Sequence, residues 1–173
     1  MSWKIVVERG NLEFAAAHFI TFADTCEPLH GHNYGVRVEA SGELTAESYV
    51  LDFIVLKECV HALCKEWDHR FLLPLRNPHL AVRETPDDEW EIRVDERTRY
   101  LMPRSTVVPL PIDNATAERL AQQMAYRIAD RLDASALAPG LTQLVVGIEE
   151  TSMQAAYYTL DLARHRAARG APG

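Results

Sequence analysis

The chain has 173 residues, of which 47% are hydrophobic, and a formal net charge of −7 at pH 7. A chain of this length is expected to form one domain with a sizeable core. The acidic balance and the absence of a Lys and Arg cluster exclude a general electrostatic attraction to nucleic acid, and no stretch approaches the roughly 20 apolar residues of a membrane span. The sequence therefore predicts a soluble, cytoplasmic protein with neither nucleic acid nor a membrane as partner.

The first part of the chain is predicted to be extended. Residues Trp3 to Glu8 and Leu12 to Thr21 read as two strands around a turn at Arg9-Gly10-Asn11, which predicts a hairpin. From His32 onward apolar and polar residues alternate, which predicts a half-buried strand that ends at the Ser41-Gly42 turn. His30 and His32 continue the apolar parity of this strand.

Two helices and two further strands follow. Asp52 is a suitable N-cap for the first helix, which ends around Trp67-Asp68-His69. The second helix begins near Asn114 to Thr116 and carries an apolar stripe. Strands are predicted over Thr142 to Glu150 and Gln154 to Leu160. This order of strands, helices and strands favours an α+β domain whose antiparallel sheet is covered on one face.

The segment between the helices, residues 74 to 113, is rich in proline and charge. It is predicted to contain one hairpin, with strands from Trp90 to Val94 and from Thr98 to Met102 around a turn at 95–97. Such an insertion is a lid, an oligomer contact or a solvated loop. We predict a single domain over residues 1–163, which includes this insertion, and a disordered tail over residues 164–173.

The strongest chemical signal lies in the stretch Cys26-Glu27-Pro28-Leu29-His30-Gly31-His32. On an extended backbone, histidines at i and i+2 project to the same face, and Gly31 removes crowding beside them. His18, at the end of an earlier extended segment, is a candidate third imidazole. Three imidazoles leave one tetrahedral position open, which is typical of a catalytic rather than a structural zinc site.

Two alternatives to this open site remain at this point. Either the histidines make ordinary hydrogen bonds, or Cys26 is the fourth ligand of a closed structural site that has no room for substrate. Cys26 lies among polar residues, whereas Cys59 and Cys64 fall in a helical apolar pattern that predicts buried, inert thiols. Nickel, cobalt or iron also fits three nitrogens, although imidazole ligands favour zinc.

Several short motifs occur in one order along most of the chain. Together they resemble the 6-pyruvoyltetrahydropterin and 6-carboxytetrahydropterin synthases. The motifs are Phe14-Ala15-Ala16-Ala17-His18, Cys26 with His30-Gly31-His32-Asn33-Tyr34, Leu51-Asp52-Phe53, Asp68-His69, Thr116-Ala117-Glu118 and Glu150-Thr151. The insertion at 74–113 is longer than the resemblance leads us to expect.

The resemblance implies a tunnelling fold, with a four-stranded antiparallel sheet that carries two helices on one face. Sheets from three subunits join into a barrel, and two such trimers stack into a homohexamer with active sites at the subunit interfaces. Strand pairing between subunits closes the otherwise open edges of the sheet.

The resemblance also implies a role for each matching residue. The ligands of one Zn²⁺ per subunit, which holds the hydroxylated side chain of a pterin triphosphate, are His18, His30 and His32. Cys26 matches the general base, and the pair Asp68 and His69 matches the group that tunes its proton transfer. The alternative for this pair is a helix C-terminus with a favourable histidine.

Glu150 is the predicted anchor of the pterin ring. It shares the parity of Leu144, Val146 and Ile148, so the carboxylate ends an apolar face, where burial is costly without a partner. The amino group and ring nitrogen of a pterin offer two parallel donors. Glu149 points the other way unless a bulge exchanges the two. Thr116 is either a second substrate contact or a helix-start residue.

The resemblance implies a lyase that converts 7,8-dihydroneopterin triphosphate to 6-carboxytetrahydropterin, a precursor of queuosine and other deazapurines. The 6-pyruvoyl product is an alternative. Glu27 directly follows Cys26, and a glutamate near this position marks members that cleave the side chain to 6-hydroxymethyl-dihydropterin for folate synthesis. The alternative outside enzymes is a noncatalytic protein stabilised by zinc.

Overall fold

The computed structural model describes residues 2–22, 25–94, 97–135, 138 and 140–170, without the side chains of Arg9 and of residues 97–99. The predicted turn at 95–97 therefore lies largely outside the described residues. The elements in chain order are β1 (Trp3–His18), β2 (Thr21–Phe22), β3 (Thr25–Cys26), β4 (His30–Gly42), α1 (Phe53–Trp67), β5 (Arg70–Pro74), β6 (Leu80–Glu84), β7 (Glu89–Val94), β8 (Arg97–Pro103), a 3₁₀ turn (Arg104–Thr106), β9 (Val107–Leu110), α2 (Ala117–Ser135), β10 (Leu141–Thr151), β11 (Gln154–Asp161) and α3 (Leu162–Gly170).

A mixed sheet of six strands forms the centre of the fold, in the order β11-β10-β4-β1-β5-β9. The first four strands pair antiparallel, whereas β5 is parallel to both β1 and β9. The predicted α+β class is confirmed, but the predicted four-stranded sheet is extended by two parallel strands. Both added strands are short apolar runs that contain a proline, and such runs show no alternation by which a strand is recognised.

The predicted N-terminal hairpin is wrong, because β1 is one continuous strand of 16 residues. Both halves of β1 pair with the same strand, β4, and the register shifts between Glu8 and Glu13. The segment predicted as a turn is therefore a bulge, in which Gly10 has a φ of 73°.

Helices α1 and α2 cover one face of the central sheet and bury the main apolar core. The side chain of Asp52 accepts a hydrogen bond from the backbone N–H of Ile54 at 2.7 Å, which is the predicted N-cap. The buried stripe of α2 consists of Leu120, Ala121, Met124, Ala125, Ile128, Ala129 and Leu132. These helices and the sheet fix the ends of β1 and β4, where the candidate ligands lie.

The insertion forms a three-stranded antiparallel sheet, β6-β7-β8, rather than the single predicted hairpin. Strand β6 was missed because most of its residues are exposed, so its sequence lacks a clear apolar face. Trp90 and Ile92 of β7 are buried against Phe19, Phe71 and Val107 in a second apolar cluster. The insertion is therefore packed onto the domain and is not a solvated loop.

The predicted disordered tail is wrong over residues 164–170, where the chain forms α3; residues 171–173 lie outside the described residues. Leu162 is 1% exposed, and His165 and Arg166 pair with Asp130 and Asp133 of α2 at 3.0 and 2.7 Å. The basic residues looked like a solvated tail because their acidic partners lie far away in the sequence. None of the helices in the described ranges combines the length and the apolar composition that a membrane span requires.

Candidate functional site

Three imidazoles converge where β1 ends and β4 begins. His18 pairs with His30 across the two strands, and Ala16 pairs with His32, so all three rings lie on the same face of the sheet. The Nε2 atoms of His18 and His30 are 3.1 Å apart, and one ligand atom from each of the three rings lies within 4.8 Å of the others. Zn–N bonds of about 2.0–2.1 Å in a tetrahedron place ligand nitrogens about 3.4 Å apart. The cluster could therefore hold a metal ion.

Gly31 is required for this approach of the two strands. A Cβ atom at this position would lie 2.9 Å from the carbonyl oxygen of Ala16, which belongs to the backbone and cannot move aside easily. The glycine between the two histidines therefore allows β4 to pair closely with β1 beside the cluster.

Backbone carbonyl groups orient two of the three rings. His18 Nδ1 lies 2.8 Å from the carbonyl oxygen of Ala115, and His30 Nδ1 lies 2.9 Å from that of Pro28. Because a carbonyl oxygen only accepts, each Nδ1 carries the proton and each Nε2 offers its lone pair to the cluster. Burial lowers the pKa of His18, which is 0% exposed, and so favours the neutral ring that binds metals.

Glu150 lies against the histidine cluster. Its Oε1 atom is 3.6 Å from His18 Nε2 and 3.5 Å from His32 Nε2, and it accepts a hydrogen bond from the Tyr34 hydroxyl at 3.4 Å. Burial, with a further contribution from Glu150, raises the pKa of Tyr34, which keeps the phenol protonated as a donor. Glu149 is exposed, in keeping with the parity predicted from the sequence. The carboxylate of Glu150 is thus within reach of any ligand that occupies the cluster.

Asp68 and His69 form a fixed pair at the end of α1. Asp68 accepts the backbone N–H of Ala15 at 2.8 Å through Oδ1 and lies 2.8 Å from His69 Nδ1 through Oδ2. The Ala15 N–H, and after it His69, lowers the pKa of the Asp68 carboxyl. His69 has a φ of 55°, and its side chain is 82% exposed. A bulky residue in the left-handed region at a strand entrance is a strained feature of the kind found at functional sites.

An open cavity of about 530 Å³ adjoins His69 and the start of β4. His32 and His69 both line it, and the insertion contributes Met102, with Thr106 from the 3₁₀ turn beside it. The inserted sheet therefore forms part of the wall of this cavity.

Cys26 and Glu27 lie on and just after β3, in a hairpin in which Cys26 pairs with Thr21. Cys26 is partly buried against the second apolar cluster, and its Sγ–H donates to the carbonyl oxygen of Glu27 at 3.5 Å. In the described part of the chain, the group of ligand atoms within 4.8 Å of one another is the three histidines, and the sulfur of Cys26 is not a member. The candidate ligand set in this structure is thus three imidazoles, which would leave one tetrahedral position open.

Thr116 acts as a helix-start residue in this structure. Its hydroxyl accepts the backbone N–H of Arg119 at 3.4 Å, and its carbonyl accepts the N–H of Leu120 at 2.9 Å. Thr116 directly follows Ala115, whose carbonyl oxygen meets the His18 ring.

The sequence did not reveal the contacts that three residues make in this region. The Tyr34 hydroxyl could have been found, since Tyr34 shares the strand parity of His30 and His32. The Ala115 carbonyl could not, because a backbone acceptor leaves no trace in residue type. Asn114, which binds the backbone of Thr21, reads as an ordinary residue at a helix start.

Comparison with known proteins assigns this architecture to a family. Residues 8–161 match the family described as 6-pyruvoyl tetrahydropterin synthase. A relative from Methanocaldococcus jannaschii, which carries the provisional name 6-carboxy-5,6,7,8-tetrahydropterin synthase, is 36% identical over 124 residues, 71% of this chain and 75% of that protein.

Two further comparisons bear on the site. A dihydroneopterin monophosphate aldolase from Pyrococcus furiosus is 42% identical over 59 residues, 34% of this chain and 50% of that protein. The solved structure of Plasmodium vivax 6-pyruvoyltetrahydropterin synthase, in a variant with alanine in place of a catalytic glutamate, superposes with a TM-score of 0.86 at 29% identity. That match covers 93% of this chain and 99% of the other.

Proposed function

The chain belongs to the 6-pyruvoyl tetrahydropterin synthase family, and on that premise we propose that it converts 7,8-dihydroneopterin triphosphate to 6-carboxy-5,6,7,8-tetrahydropterin with release of triphosphate. It is a lyase of the tetrahydropterin synthase type. The observation that carries the proposed reaction is the convergence of His18, His30 and His32, which bring one ligand atom each within 4.8 Å of one another.

Zinc is the proposed cofactor, with one ion per subunit. Imidazoles are donors that Zn²⁺ prefers, and those of His18 and His30 are held through Nδ1. Three imidazoles would leave a coordination position for a substrate oxygen. A bound Zn²⁺ supplies Lewis-acid chemistry, which acidifies the hydroxyl groups of the pterin side chain and the adjacent carbon.

Cys26, Asp68 and His69 are the proposed groups for proton transfer. In this proposal the Cys26 thiolate accepts a proton from the substrate side chain, and His69 exchanges protons with the same group. Asp68 holds His69 Nδ1 through its carboxylate and so leaves Nε2 directed away from the helix end. The exposure of His69 supports a site that is completed by a neighbouring subunit.

Glu150 is the proposed acceptor for the pterin ring. The Tyr34 hydroxyl donates to its Oε1 atom. None of the described residues donates to the other carboxylate oxygen, which suits two parallel N–H donors from a pterin. Thr116, beside the Ala115 carbonyl, is proposed as a second contact to the ring edge.

A second candidate reaction is cleavage of the pterin side chain to 6-hydroxymethyl-dihydropterin. Glu27 directly follows Cys26 and offers a second base on the same hairpin. The similarity to a protein named an aldolase, and to a synthase with a catalytic glutamate, supports this candidate. Formation of the 6-pyruvoyl product is the remaining alternative within the family.

The proposed assembly is a homohexamer of two trimers. Strand β11 has β10 as its only described partner, and β1 meets β5 only at Ala16 and Ala17. The N-terminal part of β1 and the whole of β11 therefore present open backbone edges, which pairing between subunits would cover. Trp3 and Tyr157, on these two strands, are 56% and 59% exposed.

Product analysis by mass spectrometry tests the reaction. We expect the metal-loaded protein to form 6-carboxy-5,6,7,8-tetrahydropterin, and Cys26→Ala to lower this rate by about 10²–10⁴-fold. We expect Glu27→Ala to lower any 6-hydroxymethyl product selectively. Cys59→Ala, on helix α1, is the matched control for Cys26→Ala. Glu47→Ala, in an exposed loop, is the matched control for Glu27→Ala. One unchanged product at an unchanged rate in both test variants would show that these bases are wrongly assigned.

A further inference from the structure

The hairpin that carries Cys26 is small. It consists of two residue pairs, Thr21 with Cys26 and Phe22 with Thr25. The backbone N–H of Glu27 also donates to the carbonyl of Ile20 at 2.9 Å. A two-stranded hairpin of this size does not hold its position by itself, so its orientation depends on contacts to the rest of the domain.

Thr21, the cross-strand partner of Cys26, is held by asparagine side chains on all its polar groups. Its backbone N–H donates to Asn114 Oδ1 at 3.2 Å, and its carbonyl accepts from Asn114 Nδ2 at 2.8 Å. Its hydroxyl accepts from Asn77 Nδ2 at 2.7 Å. Thr21 and Asn77 are 7% and 4% exposed, so little water competes for these bonds.

The next residue after Asn114 orients a member of the histidine cluster. The carbonyl of Ala115 accepts from His18 Nδ1 at 2.8 Å, while the N–H of Ala115 donates to Asn114 Oδ1 at 3.2 Å. Two consecutive residues just before α2 therefore orient the ring of His18 and hold the backbone of the hairpin that carries the thiol.

We propose that Asn114 is a positioning residue that keeps the Cys26 thiol in a fixed relation to the histidine cluster, with Asn77 as a second support. The inference rests on the proposed function, because it takes Cys26 as the base. Asn114 acts through the backbone of Thr21 and is neither one of the three candidate ligands nor a proposed substrate contact. Its loss should therefore impair proton transfer while the three histidines still bind metal.

The test compares Asn114→Ala and Asn114→Asp with wild type, and uses Asn11→Ala as a matched control at an exposed position of the β1 bulge. The Asp variant keeps the acceptor for the Thr21 N–H and removes the donor to the Thr21 carbonyl. The readouts are zinc content, kcat and KM, hydrogen–deuterium exchange of residues 20–27, and the alkylation rate of Cys26 relative to Cys59.

We expect Asn114→Ala to retain zinc and to lose kcat by about 10–100-fold with KM changed less than about twofold, because small misplacement of a catalytic group has effects of this size. Exchange of the hairpin amides and alkylation of Cys26 should both increase. Asn114→Asp should lie between Asn114→Ala and wild type, and Asn11→Ala should match wild type.

Wild-type kcat and hairpin exchange in Asn114→Ala would overturn the inference, and so would a loss of activity that follows a loss of zinc. If Asn114→Ala does not fold, the same quantities are measured on Asn114→Asp, and the same outcomes decide. Failure of the proposed function is a separate outcome, in which the wild-type protein forms no product. Hydrogen–deuterium exchange of the hairpin, alkylation of Cys26 and zinc content would then still decide whether Asn114 holds the Cys26 hairpin in a fixed relation to the histidine cluster.

Discussion

The histidine cluster depends on groups that are not ligands. Gly31 allows β4 to approach β1, and the carbonyls of Ala115 and Pro28 set the tautomers of His18 and His30. Substitution of such supporting residues commonly weakens metal binding about 10–100-fold. The geometry of the candidate ligands therefore depends on three segments of the chain: the end of β1, the start of β4 and the residues just before α2. Only the start of β4 carries two of the histidines.

Loss of one ligand should release the metal without loss of the fold. His30 is exposed, so we expect His30→Ala to fold while its zinc content falls well below one ion per subunit. Metal analysis and thermal unfolding at a matched protein concentration measure both effects. His79→Ala, at an exposed position outside the cluster, is the control. Full zinc content in His30→Ala would argue against this ligand set.

His69 combines a strained backbone with a proposed catalytic ring. Glycine adopts a φ of 55° without steric cost, and the exposed ion pair to Asp68 contributes little to stability. We expect His69→Gly to raise the free energy of unfolding by about 0.5–1 kcal/mol while activity falls by about 10²-fold or more. Chemical denaturation and product formation measure the two effects. A less stable His69→Gly protein would contradict the assignment of strain to this residue.

At the level of elements, local sequence patterns predicted the strands and helix ends that depend on neighbouring residues. They missed the elements that depend on residues far away in the sequence. The alternation from Tyr34 to Ala40 and the Asp52 cap predicted β4 and the start of α1. The bulge at Gly10 looked like a hairpin turn because both produce a glycine between two extended runs. Helix α3 was missed because the partners of its basic residues, such as Asp133, lie on α2.

The bulge in β1 can be tested by replacing Gly10. Gly10 has a positive φ with open space around it, so Gly10→Ala should destabilise the protein by about 1 kcal/mol through backbone strain alone. Gly170→Ala at the end of α3 also meets no neighbour and serves as the control. Urea unfolding compares the two. Equal stability of both variants would show that the backbone at Gly10 is unstrained.

The placement of the histidines and of Glu150 was predicted more completely than the sheet. The spacing of His30 and His32 and the parity of Glu150 depend on a period of two, which a strand reveals directly. The short parallel strands β5 and β9 have no such period, and their partners are set by the folded chain. The contacts of Asn114 and Ala115 join residues nearly a hundred positions apart and so could not be predicted.

At the scale of the whole molecule, the open edges of β1 and β11 predict association. We expect native mass spectrometry or light scattering to give six chains per particle, with the trimer as the smaller stable unit, because strand pairing within a ring leaves no edge exposed. A monomer at micromolar concentration would contradict this assembly. It would also leave the exposed ring of His69 without the partner surface that the proposed site requires.

The most direct test of the central claim is the rate of triphosphate release from 7,8-dihydroneopterin triphosphate before chelation, after chelation and after zinc is restored. If His18, His30 and His32 hold a catalytic ion, activity is lost with the metal and returns with about one Zn²⁺ per subunit. Release at an undiminished rate by folded, metal-free protein would contradict the account.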